Sequence, residues 1–157
     1  MSLKSLPTAD AVAKLIASLA GKNVTAKAGP AAKQPPKGGA IAVCVDEAPN
    51  VAAIIVADVG LAAAAGAALA MIPPSAAQDA ARAGTLPPNI ADNFREVLNI
   101  MCSLLTASGG RGVRLADYAV AGVPENATPV LSGAGARLDL EVDVQGYGKG
   151  QLAIISA

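Results

Sequence analysis

The stretch Ile90-Ala91-Asp92-Asn93-Phe94-Arg95-Glu96-Val97-Leu98-Asn99-Ile100-Met101-Cys102-Ser103-Leu104-Leu105 decides how the rest of the chain is read. At roughly 100° per residue, Ile90, Phe94, Val97, Leu98, Met101, Leu104 and Leu105 fall on one side of a helix. The other side carries Asp92, Glu96, Asn99 and Ser103 as a narrow polar stripe, because residues three and four apart stand above one another. Pro87-Pro88 precedes the stretch, Asn89 is its predicted N-cap, and Ser108-Gly109-Gly110 follows it. A helix with one apolar side needs a surface to lie on, and the flanking sequence supplies strands for it.

Upstream, Pro7-Thr8 opens a first helix with Asp10 in its first turn, an apolar stripe of Val12, Leu15, Ile16 and Leu19, and Gly21 as its stop. Asn23 to Lys33 reads as extended but irregular, broken at Pro30, and Gln34 to Gly39 as a loop or hairpin connection. Ala40 to Val45 is a short unbroken apolar run, the pattern of a strand covered on both faces. Asp46 to Asn50 turns the chain and Val51 to Ala57 returns as an antiparallel partner. Asp58 is the predicted cap of a helix through Met71, which Pro73-Pro74 ends. Ser75-Ala76-Ala77-Gln78 has the form of a capping box for a short helix that stops at Gly84.

Downstream, Gly112 to Ala121 reads as a strand and Gly122 to Gly135 as a long connection containing Pro124 and Pro129. Ala136 to Val144 alternates, with Leu138, Leu140, Val142 and Val144 on one face and Arg137, Asp139, Glu141 and Asp143 on the other. The turn chemistry of Gln145 to Gly150 then folds Gln151 to Ser156 back as a hairpin. The order of elements predicts an α+β fold, an antiparallel sheet covered by helices, in a single domain spanning residues 1–157. No repeat of fixed period and no linker divides it.

Composition narrows the function. The 157 residues are 53% hydrophobic but only 2% aromatic, so the core is expected to be close-packed from alanine and aliphatic side chains. The net charge of zero gives no long-range attraction to nucleic acid or an anionic membrane. Val51 to Ile72 is long enough to span a bilayer, but Asp58 and Gly60 interrupt it, and a strand followed by an alanine-rich helix explains it better. No signal peptide is evident, which points to the cytoplasm. The chain contains no histidine, which removes imidazole bases, Ser-His and Cys-His nucleophiles and most zinc sites. Cys44 and Cys102 read as buried reduced thiols.

The spacing Asp92-x-x-x-Glu96-x-x-Asn99 resembles the signature of the CheC/CheX family of chemotaxis phosphatases: an acidic residue or serine, a glutamate, then an asparagine three positions on. A proline about two dozen residues later belongs to the same signature, and Pro124 stands close to that place. Element order, a single copy of the motif and chain length are most similar to CheX. The resemblance implies an enzyme that removes the aspartyl phosphate of a CheY-type response regulator, with no cofactor of its own and with magnesium held in the partner receiver domain. It also implies that Asn99 orients the attacking water, Glu96 pairs with a receiver lysine, and Asp92 and Ser103 belong to the contact surface. Where many relatives have a very small residue after the asparagine, this chain has Ile100, Met101 and Cys102.

The plain reading of the stripe is the solvated side of an amphipathic helix, and short motifs recur by chance. A non-catalytic interaction module of the same fold, a homodimer joined through a sheet edge, is the alternative. A third reading places a hard cation on the acidic ladder of Asp139, Glu141 and Asp143, against which stands the wet face of an antiparallel strand. Gly146-x-Gly148-x-Gly150 lacks the following helix a phosphate loop needs and reads as a turn. Asn126-Ala127-Thr128 is a glycosylation sequon that is idle without secretion. Asp46-Glu47 suits a turn better than catalysis.

Overall fold

The computed structural model describes residues 6–31, 37–107 and 112–157. Gln34 to Pro36 of the expected connection and the Ser108-Gly109-Gly110 stop lie outside the described residues. Among the described residues six strands form one sheet: β1 (Val24–Ala28), β2 (Ala40–Val45), β3 (Val51–Ala57), β4 (Arg114–Val120), β5 (Arg137–Val144) and β6 (Gly148–Ser156). Their spatial order is β1-β5-β6-β3-β2-β4 and every neighbouring pair is antiparallel. The expected hairpins β2-β3 and β5-β6 are both present, and β3 and β6 join them at the centre of the sheet.

Helices α1 (Ala9–Ala20), α2 (Val59–Leu69), α3 (Pro74–Ala83) and α4 (Pro88–Ala107) pack into the larger core, on one face of the sheet. The strand alternation shows why. On β2, Ala40, Ala42 and Cys44 face the helices, while Ile41, Val43 and Val45 enter a second core on the opposite face. Small side chains on the helix side let backbones approach closely, and the larger branched ones fill the other face. That second core is capped by a 3-10 turn at Glu125–Ala127 and by the one-turn α5 (Thr128–Leu131), through Ala127 and Val130. The expected plain connection from Gly122 to Gly135 is therefore partly helical, because the apolar outer face of β2 and β3 needs a cover.

Helix ends follow local chemistry. Thr8 Oγ1 accepts from the Ala11 N–H, and Gly21 closes α1 in the left-handed region at φ 66°. Asp58 caps α2 as expected, but that helix ends at Leu69, and Met71 is left-handed at φ 57° and 86% exposed. Two expected caps are corrected. Helix α3 begins on Pro74 with no side-chain cap bond, so Ser75 lies inside its first turn. Helix α4 begins at Pro88, placing Asn89 within the helix. In both cases proline suits the first helical position, where its missing N–H has no partner to lose. The apolar run at Val51–Ile72 divides into β3 and α2, and no helix among the described residues is long and apolar enough to cross a membrane.

Candidate functional site

Helix α4 is held at several heights, and each contact has a sequence cause. Near its start, the Tyr118 hydroxyl of β4 donates to the Ala91 carbonyl at 2.9 Å. Over the same first turns, α2 presents Gly66, where a Cβ would stand 2.6 Å from the Ile90 carbonyl oxygen and 3.3 Å from Phe94 Cβ. Only glycine allows the two helices to lie that close. In the second half, Cys102 Sγ lies 3.0 Å from Cys44 Sγ on β2. In its last turn, Thr106 Oγ1 accepts at 3.0 Å from the Val113 N–H, just before the chain enters β4. Ile90, Phe94, Val97, Leu98, Met101 and Leu105 are buried as expected, and Leu104 is half-buried.

The opposite side of α4 carries the stripe. Asp92, Glu96, Asn99 and Ser103 are all exposed, and Arg95 stands exposed beside them. Among the described residues no hydrogen bond or ion pair engages the side chain of Glu96 or Asn99. Their side chains leave the same helical turn together. The residues after Asn99 do not crowd this surface: Met101 and Cys102 are buried in the core and Ile100 is half-buried.

Tyr118 is the structural neighbour that sequence reasoning missed. Burial pushes its phenol up to about 12, the nearby Asp92 carboxylate adds to the rise, and Arg95 opposes it. A signal for it was available in the scarcity of aromatics. The chain has two tyrosines, and each donates to a backbone carbonyl beside a helix end, Tyr118 to Ala91 and Tyr147 to Ile72 at 2.8 Å.

The other candidates resolve into structure. On β5, Arg137 grips Asp139 with two bonds of 2.9 and 2.8 Å, and Glu141 lies between Lys27 and Lys149 at 3.9 and 3.8 Å. The ladder is a charge-matched strand face, and among the described residues no three acidic or thiol side chains gather as metal ligands. Gly146 sits at φ 82° in the β5-β6 turn with no helix after it. Asp46 Oδ1 accepts from the Ala48 and Asn50 N–H groups at 3.0 Å each, so that residue shapes its turn. Asn126 falls in the 3-10 turn, exposed like Glu125 before it, between the buried Pro124 and Ala127.

No protein-family model matches the chain, and no curated protein matches it. Solved structures do. FliM in a FliM–SpeE complex from H. pylori has a TM-score of 0.68 at 10% identity, covering 94% of this chain and 80% of that one. The FliM middle domain from H. pylori has a TM-score of 0.66 at 10% identity, over 94% and 84% of the two chains. The chemotaxis protein CheX from Vibrio vulnificus has a TM-score of 0.55 at 13% identity, over 93% and 91%. The fold is therefore the CheC/CheX type, α+β with an antiparallel sheet, in the form that the FliM middle domain shares.

Proposed function

We propose that this chain, built on the CheC/CheX-type fold, removes the aspartyl phosphate of a CheY-type response regulator by inserting one turn of α4 into the receiver site. The Asn99 carboxamide would hold a water in line with the scissile bond. Water oxygen bonds to phosphorus, the acyl oxygen–phosphorus bond breaks, and the receiver carboxylate and inorganic phosphate leave. Phosphoryl transfer asks mainly for positioning and electrostatic stabilisation, so an amide suffices and the absence of histidine is no obstacle. Glu96 would pair with a receiver lysine, with Asp92 and Ser103 widening the contact. Magnesium in the receiver would neutralise charge on the transferring group.

The observation that carries this reading is that Glu96 and Asn99 project from one exposed turn with no internal partner. The inward packing of Met101 and Cys102 supports it by leaving the approach open. The test is the decay of a receiver's aspartyl phosphate with wild type and with Asn99→Ala. Loss of a positioning group is expected to slow the catalysed decay by about 100-fold. Equal rates would remove Asn99 from the mechanism.

A second reading is favoured by the higher TM-scores to FliM than to CheX. In it the fold is a non-catalytic interaction module; FliM is crystallised in a complex with SpeE. A homodimer belongs to this reading, since among the described residues β4 pairs with β2 alone and its other edge is open. Receiver binding without faster phosphate loss would select it.

A further inference from the structure

Cys44 and Cys102 are 58 positions apart in sequence, yet their sulfurs are 3.0 Å apart. Both are buried free thiols, 0% and 1% exposed. The sheet is irregular at this point on both sides. The pairing of β2 with β3 shifts register between Cys44 and Val45, and its pairing with β4 shifts between Val43 and Cys44. Each neighbour spends one extra residue there, Ala52 on β3 and Ala116 on β4. Bulges of this kind re-aim a side chain locally. Here they flank the one β2 residue whose sulfur meets α4.

We propose that Cys44 and Cys102 form a reversible disulfide that pins the stripe-bearing helix α4 to β2. A disulfide needs a sulfur separation of about 2.0 Å, so closure asks for a displacement of about 1 Å between elements already in contact. The sulfur-to-sulfur hydrogen bond favours the thiolate on Cys102, lowering its pKa, and the same bond together with burial raises that of Cys44. With a peroxide as oxidant, Cys102 serves as the attacking sulfur and Cys44 as the one that resolves it. The Cys102 thiolate takes one peroxide oxygen, the O–O bond breaks, and hydroxide leaves, giving a sulfenic acid. Cys44, losing its proton, then attacks that sulfur, the S–O bond breaks and a second hydroxide departs. Two thiols and one hydrogen peroxide thus give one disulfide and two waters, and a dithiol reverses the step. Cys102 lies one helical turn beyond Asn99, so the bond would fix the height of the stripe above the sheet. The proposal holds whatever docks there.

The test treats the full chain with hydrogen peroxide or with dithiothreitol, blocks remaining thiols after denaturation, and maps the peptides by mass spectrometry. The expected result is a linked Cys44–Cys102 peptide in a monomeric product, with both thiols lost together and recovered by dithiothreitol. Closing so long a loop is also expected to raise Tm by roughly 5–15 °C. That rise should be absent in Cys44→Ala and Cys102→Ala. Two thiols still open to alkylation would overturn the proposal, as would oxygenated Cys102 without a link or a bond between two chains. A linked peptide with unchanged Tm would overturn the pinning.

Discussion

Replacing Asp58 tests how the sheet and the helical layer are locked together. Its Oδ1 accepts from the Leu61 N–H at 2.9 Å, capping α2, while its Oδ2 accepts from the Gln151 N–H on β6 at 2.9 Å. Its own N–H donates to the Gln151 carbonyl at 3.0 Å. One carboxylate thus fixes the exit of β3, the start of α2 and the register of β6. Asp58→Ala removes a cap worth about 1 kcal/mol and a charge-assisted bond worth about 2 kcal/mol, for a loss of about 3 kcal/mol. In a chain of this length that is a fall in Tm of about 6–12 °C. Asp58→Asn keeps one oxygen for two donors and is expected to lose about half as much. Urea denaturation should show a lower midpoint at unchanged slope, with the order wild type, Asn, Ala. An alanine variant within about 0.5 kcal/mol of wild type, the range of an ordinary surface change, would refute the clamp. So would an asparagine variant as unstable as alanine.

At the α2–α4 contact, Gly66→Val would drive a side chain against the Ile90 carbonyl, which is backbone and cannot yield. A loss of at least about 2 kcal/mol is expected, measured by the same denaturation. Tyr118 should titrate near 12, seen as the near-ultraviolet absorbance change that Tyr118→Phe abolishes. The unfolded phenol ionises near 10 while the folded one holds its proton, so this contribution is full below pH 10 and lost as pH rises through 12. Tyr118→Phe should flatten stability across that window, and an unchanged alkaline profile would contradict the assignment.

Much of the fold was legible because local chemistry specifies it. The period of α4, the Asp58 cap and the alternation of β5 each follow from neighbours in sequence, and each appears where expected. The unbroken apolar run of β2 also announced cover on both faces, and both covers exist. What stayed hidden depends on residues far apart. Nothing in Val24–Ala28 or Arg114–Val120 says that they take opposite edges of the sheet. Nor could spacing show that Asp58 reaches Gln151, that Tyr118 reaches Ala91, or that Cys44 meets Cys102. The misplaced caps at Asn89 and Ser75 have a local cause: a proline at the first helical position competed with a polar residue beside it, and the proline won. The stripe itself was readable as a helical face, since periodicity fixes which residues point outward.

The central claim is that this face of α4 is where a phosphorylated receiver lands. The most direct measurement maps amide and side-chain chemical shifts of the labelled protein as a phosphorylated receiver domain is added. The account expects changes centred on Asp92, Glu96, Asn99 and Ser103, with the Asn99 carboxamide among the largest. Changes confined to the edge strands β1 and β4, to the α5 face, or absent throughout would contradict it.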